Sequence, residues 1–356
     1  MISLGLNLGS GNLGREWSTE AIAMAQWAED QGFRTVWVGE GGLGNNAVIL
    51  MTLIAANTNR ISIGSGVLPY RTRNVALLSA TFKMLDDLAP GRMKMGLGPW
   101  WEPLATQAGL PNEKPLKAMR EVVTVAKQLL ADETVSYDGE FVNVDNIRFD
   151  RAADDSGRAY AVPIYIGAVR MKMVQLAGEI ADGVLLDFLL PPSYNLQAME
   201  SLKAGAAISG RSIKTIDVPQ LVACSVDDGD PASAVDDCRA FLTKYIAQQA
   251  HITEFCGADP ELIATVKAEI GWPTTTAQIK NAMHLVPDEL VKSVSACGTA
   301  TDALDMVERY IDAGCTEAVL MPLGGDPHRT LEQIGGSLSL TASLARSETA
   351  TGTWPV

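Results

Sequence analysis

Short apolar runs alternate with longer amphipathic stretches along most of the chain, and the joints between them repeat. "AEDQGFRTVWVGE" (28–40), "AGEIADGVLLD" (177–187) and "YIDAGCTEAVLMP" (310–322) each finish an amphipathic helix, turn sharply and enter a run rich in Val and Leu. Glycine just past a helix C-terminus accepts the left-handed cap conformation, and an unbroken apolar run reads as a parallel strand buried on both faces. Eight such strands are predicted, at 2–8, 35–39, 62–67, 93–98, 163–168, 183–187, 221–226 and 317–322. Helical periodicity falls at 18–31, 46–57, 74–88, 115–131, 171–181, 192–209, 232–249 and 300–313. Eight β–α units joined by right-handed crossovers predict an α/β fold, a (β/α)8 TIM barrel, with a doubly wound open sheet as the second choice.

Two stretches interrupt the alternation. "DETVSYDGEFVNVDNIRF" (132–149) has period two about Asp138-Gly139 and predicts a β-hairpin inserted before strand five. Residues 250–297 predict two or three extra helices after strand seven. No low-complexity linker divides the chain, so residues 1–345 read as one domain and the Ser/Thr-rich end, 346–356, as a flexible tail.

Composition narrows the classes. The 356 residues are 47% hydrophobic and 20% charged, enough for a large core. No signal peptide pattern and no apolar run near the ~18 residues of a membrane span is present, which predicts a cytoplasmic protein away from membranes. Five scattered cysteines and three histidines in no ligand spacing point to neither a disulfide framework nor a metal centre. A net charge of -14 argues against nucleic acid and leaves a small molecule as the expected partner. Residues 60–130 run against that balance, with ten basic against five acidic residues. Either a solvated helix face or an anionic ligand accounts for that window.

In a closed parallel barrel the chemistry lies at the C-terminal ends of the strands. Those ends carry Asn7, Glu40, Gly64 to Tyr70, Pro99 to Glu102, Ala168 to Lys172, Asp187, Ser225 and Met321. Glycines, aromatics and isolated acids there suit a flat cofactor that carries the chemistry while the protein supplies contacts and a proton. In "RISIGSGVLPYRTRN" (60–74), Gly64, Ser65 and Gly66 strip side chains from the end of strand three, as close backbone approach to a ligand requires. Glu40 and Glu102 are the candidate catalytic acids; a helix-cap neighbour and a loop acid are the structural alternatives. Trp100 and Trp101 either wall a pocket or pack in the core.

"GLGPWWEPLATQAGLPNEKPLKAMREVV", a hairpin, and "VPIYIGAVRMKMVQLAGEIADGVLL" together resemble the luciferase-like monooxygenase superfamily, in its branch of methylenetetrahydromethanopterin reductase and other coenzyme F(420) enzymes. The likeness covers residues 1–210 well and the last strand and helix more loosely. It implies a deazaflavin ring over the end of strand three, at Gly64, Ser65, Gly66 and Val67, with a non-proline cis peptide between Gly66 and Val67. Gly98 and Trp100 fall on the same rim. The coenzyme phosphate is implied at the turn Gly167-Ala168-Val169-Arg170-Met171, where helix N–H groups favour an anion. Arg170 and Met171 replace the family's usual Gly-Pro, so Arg170 either contacts phosphate or caps the helix. The His that follows the acid in some relatives is Gly41 here, and Trp101 falls near the family's other acidic position. The implied activity is an F(420)-dependent oxidoreductase moving hydride to or from a C=C, C=N or carbonyl substrate, in a homodimer. An FMN-dependent monooxygenase and a noncatalytic flavin-binding relative are the alternatives.

Overall fold

A computed structural model describes residues 2–8, 17–44, 46–110, 112–150, 160, 162–271 and 273–336. It is the α/β TIM barrel with insertions that the alternation predicts. The strands are β1 (Leu4–Leu8), β2 (Thr35–Val38), β3 (Ser62–Ser65), β4 (Leu68–Pro69), β5 (Met93–Gly98), β6 (Val135–Asp138), β7 (Asn143–Ile147), β8 (Ile164–Ala168), β9 (Gly183–Leu186), β10 (Pro219–Val226), β11 (Ala296–Gly298) and β12 (Glu317–Pro322). The described chain groups into two compact units. The tail expected at 346–356 lies outside the described residues.

The larger unit, Leu4–Asp187 with Leu196–Leu221, holds the parallel order β1-β2-β3-β5-β8-β9. Here β1 pairs with β2 at Asn7↔Trp37, and β2 with β3 at Trp37↔Gly64, so these three positions share one level and one face. That face is packed unusually. Trp37 is fully buried, and a Cβ on Gly64 would lie 2.5 Å from its ring. Tyr165 meets the Trp37 ring edge-on at 5.0 Å, and Lys94 Nζ lies 5.2 Å above it. The buried ammonium is matched by polar partners: Lys94 donates to Thr35 Oγ1 at 2.8 Å and approaches Asp217 Oδ2 at 3.9 Å. Asp217 also accepts from Tyr165 at 2.9 Å and from the Arg34 fork at 3.0 and 3.3 Å. These groups enter from the first residues of their strands and from the segment before β10, so they line the end opposite the strands' C-termini. The predicted hairpin is present as β6–β7.

The second unit comprises the described residues of Met1–Ser3, Phe188–Asn195 and Val222–Val356. In it β10 is flanked by β11 and β12. Four short helices, Ala250–Thr253, Pro260–Glu269, Thr276–Ala282 and Asp288–Val294, occupy the stretch expected to hold two or three, and Ala296–Gly298 is a strand rather than a helix end. The division has local causes. Asp259 caps Pro260–Glu269, a Thr275–Gln278 capping box opens the next helix, and Pro287 precedes the last. Among the described residues, no helix is long and apolar enough to cross a membrane.

Two carboxylates hold loops of the larger unit in register. Glu29, on helix Trp17–Asp30, accepts from the backbone N–H groups of Asn59, Arg60 and Ile61 at the entrance to β3. Glu121, on helix Pro115–Leu130, accepts from those of Glu140, Phe141 and Val142 at the hairpin tip. Burial pushes both carboxyls up, but the three backbone donors outweigh it and both stay below the ordinary glutamate range. A folded-state value below the unfolded one adds stability that is present above about pH 4.3 and drains away as pH falls below it. Glu29→Gln keeps the shape but loses the charge, and a cost of about 1–3 kcal/mol is expected. Urea melts at pH 7 and pH 3.5 check both points: the variant should lose less than wild type on acidification, and equal losses would dismiss the assignment.

Candidate active site

The bulge after β3 places a side chain where its neighbours have none. The Gly66–Val67 peptide is cis, as the resemblance implied. Val67 sends its methyl groups toward the ends of β5 and β8. A Cβ on Gly98 would lie 2.5 Å from Val67 Cγ2, and one on Gly167 would lie 2.9 Å from Cγ1. Val67 therefore occupies the volume that side chains at 98 and 167 would fill, and the three residues make a low shelf at the strand ends. Ser65 is buried beneath it; its hydroxyl donates to the carbonyl of Gly96 and accepts from the Gly96 N–H, both at 2.8 Å. Gly64 lies deeper, under Trp37, and belongs to the packed interior rather than to the shelf.

Glu40 stands beside the shelf at the end of β2. Its N–H donates to the Val67 carbonyl at 3.3 Å. Its buried carboxylate receives three donors: Arg73 Nη1 at 2.7 Å on Oε1, Arg73 Nη2 at 2.9 Å and the Ala47 N–H at 3.0 Å on Oε2. The last contact fixes it at the N-terminus of helix Ala47–Asn57, where a negative charge is favoured. All three are donors, and both carboxylate oxygens are engaged as acceptors. Glu40 also lines a cavity of about 540 Å³ with Trp17, Gly42, Leu43, Gly44, Asn46, Thr72 and Trp100. The helix-cap alternative for this acid is thus observed, and the same side chain faces the cavity.

Trp100 meets both fates foreseen for the pair, and Trp101, half-buried and outside the cavity lining, meets neither. Trp100 is buried and lines the cavity, its indole N–H 3.4 Å from the Gly41 carbonyl. Trp101 donates to the same carbonyl, so two rings are tied to one oxygen. Asn112 donates to the Trp100 carbonyl and pins the loop from below. Glu102 is exposed and turned to its own loop, accepting from the Thr106 N–H at 3.1 Å and from Asn112. Hydrogen bonds from Thr106, with those from Asn112, hold its carboxyl below the ordinary range. It is not among the residues lining the cavity.

The turn after β8 is adjoined to the shelf through Gly167. Ala168 and Val169 are buried, Met171 is half-buried, and Arg170 is exposed at the N-cap of helix Met171–Ile180 without a side-chain cap bond. Two participants escaped the sequence reading. Arg73 was legible only as one of two cations after Pro69, and its partner lies 33 residues upstream. Gly41 acts through its carbonyl, which side-chain patterns do not reveal.

The shelf and cavity lie at the C-terminal ends of parallel barrel strands, the position from which (β/α)8-barrel enzymes work, and this chain falls in that class. Residues 5–317 match the luciferase-like monooxygenase family, and the chain belongs to it. It is 31% identical over 314 residues to 5,10-methylenetetrahydromethanopterin reductase of Methanolobus tindarius, covering 87% of this chain and 93% of that protein. It is 27% identical over 330 residues to an F(420)-dependent glucose-6-phosphate dehydrogenase of Kineococcus radiotolerans, covering 87% and 89%. The structure of the coenzyme F(420)-dependent tetrahydromethanopterin reductase of Methanopyrus kandleri superimposes with a TM-score of 0.81 at 26% identity, over 94% of this chain and 97% of that one.

If Val67 fills the space above Gly98, then Gly98→Ala should destabilise the fold by about 1–3 kcal/mol through overpacking. Adding Val67→Ala should recover most of that loss. Thermal melts of the two single variants and the double variant measure the coupling; additive losses would show that the two side chains do not compete for one volume.

Proposed function

We infer that the chain is an F(420)-dependent oxidoreductase that transfers hydride between a deazaflavin coenzyme and a small organic substrate with a C=C, C=N or carbonyl group. The observation that carries this is the shelf of Val67 over Gly98 and Gly167, next to a carboxylate-bearing, tryptophan-walled cavity. A flat ring fits such a floor, because no side chain rises from positions 98 and 167. Gly66, Val67, Gly98 and Trp100 would meet the ring, over Gly64 and Ser65. The turn Gly167 to Met171, with the N-terminus of its helix, would take the phosphate, and Arg170 adds a cation there. When bound and reduced, such a coenzyme supplies two electrons and a hydrogen nucleus to an electrophilic carbon, with a proton completing the product. The relatives named above, a reductase and a dehydrogenase of this coenzyme, support the same reading.

Of the two acids, Glu40 lines the cavity and Glu102 serves its loop, which favours Glu40 as the charged group of the site. Three donors already engage Glu40, which favours solvent as the source of the product's proton. The test is direct titration of purified protein with F(420) and, separately, with FMN. Tighter binding of F(420), weakening as salt rises, is expected. Micromolar FMN binding without F(420) binding would favour the flavin monooxygenase reading, and binding of neither would remove the assignment.

We also read residues 1–345 as one domain, supported by a family match that runs through both compact units. A cytoplasmic setting is supported by five buried cysteines, none of them in a disulfide. For a homodimer, the support is an apolar face on two packed helices: Ile49 on Ala47–Asn57, which carries no charge, and Leu77, Met84 and Leu88 on Val75–Leu88, exposed by 46 to 69%. The occupant assigned to this face is a second copy of the chain. Sedimentation should give twice the 37.9 kDa chain mass, and Leu77→Lys with Met84→Lys should halve it. A wild-type monomer at tens of micromolar would reject the dimer.

A further inference from the structure

The Arg73–Glu40 charge pair at the cavity has a member with no part yet in the reaction. Arg73 lies in the turn between β4 and helix Val75–Leu88, with Thr72 Oγ1 3.1 Å from its Nη1 and both terminal nitrogens on Glu40. Its side chain is 21% exposed and that of Glu40 is 9% exposed, so the pair is largely shielded from solvent. A two-point fork fixes the plane of the carboxylate as well as its position, which a single ammonium does not do. The plane matters because Glu40 is the joint of the site: backbone to Val67, side chain to the start of helix Ala47–Asn57, and one face to the cavity.

We propose that Arg73 is a positioning residue for the hydride step, holding Glu40 as a fixed, ionised carboxylate so that the site carries a constant negative charge and does not exchange a proton with the product. This rests on the F(420)-dependent reading above. Among the described residues, the elements beside Glu40 bring no second cation onto its carboxylate. Helix Ala47–Asn57 brings no ionisable side chain, and the bulge from Ser65 to Pro69 brings none. From the turn, Arg71 donates to the Glu113 carbonyl and stacks on Phe141 at 4.7 Å. From the tryptophan loop, Glu102 is engaged with Thr106 and Asn112. Without Arg73 the carboxylate keeps the backbone N–H of Ala47 as its donor among the described residues, and a buried carboxylate that loses its cation takes up a proton more readily.

The experiment uses the full chain as wild type, Arg73→Met, Arg73→Lys and the double variant Arg73→Met with Glu40→Gln. For each, F(420) affinity is measured by titration, and turnover with a substrate found by screening carbonyl and imine compounds is followed from pH 5 to pH 8. Wild-type turnover should be flat across that range. Arg73→Met should bind F(420) within about threefold of wild type, lose about 10- to 100-fold in kcat, and gain a dependence on pH below 7. Arg73→Lys should recover part of the rate with a flat profile, and the double variant should be flat again because the titrating group is gone. A flat profile for Arg73→Met, a sloping one for the double variant, or coenzyme affinity falling in step with kcat would overturn the proposal, the last by showing a merely structural role. Wild-type protein that binds no F(420) would instead sink the functional reading, and this proposal with it.

Discussion

A carboxylate buried at the end of a strand constrains everything around it. Leaving Glu40 without partners would cost several kcal/mol, so each neighbouring element has to bring a donor. The turn before helix Val75–Leu88 supplies the Arg73 fork, and helix Ala47–Asn57 gives the N–H of Ala47 to Oε2. In return, the Glu40 backbone is held where it can bond the Val67 carbonyl. Three segments distant in the chain are thereby set against one another, and the cavity wall, the shelf and the charge all follow from that arrangement.

Below the shelf the limiting quantity is volume. Trp37 and Val67 are large for their levels of the barrel, and both are accommodated by glycine on neighbouring strands: Gly64 beneath one, Gly98 and Gly167 beneath the other. Interiors are packed too densely for such exchanges to be independent, so these glycines and bulky residues form complementary sets. Further down, Lys94, Asp217, Tyr165 and Thr35 close the opposite end with a paired polar layer, which keeps a buried ammonium satisfied under an aromatic ring. The site thus stands on a densely packed base, with the loops bearing Gly41, Leu43 and Trp101 beside it.

Those loops close on one backbone oxygen. Gly41 follows the acid, and its carbonyl is occupied by two indole N–H groups. The acid next to Trp101, Glu102, is turned to its own loop. The result is a cavity whose walls are aromatic and whose only carboxylate, among the lining residues, is already neutralised by Arg73.

The elements themselves were legible in the sequence. Strand and helix bounds, the hairpin about Asp138-Gly139 and the glycine-rich end of β3 fall within one or two residues of prediction in most cases, because periodicity and capping are set by neighbours a turn or a pleat away. The extra helices were miscounted where caps at Asp259 and Thr275 cut a continuous polar stretch. Glu40 was a visible candidate by its place at a strand end, but its meaning was not, since Arg73 comes from another strand's exit and Ala47 from a helix start. Likewise no local pattern joins Gly41 to Trp100 and Trp101, or Val67 to Gly98 and Gly167. Side chains tens of residues apart meet only after the strand order is set, so the sequence alone determined the pieces and their order, while tertiary packing decided which charges neutralise each other and which residue fills each vacant Cβ position.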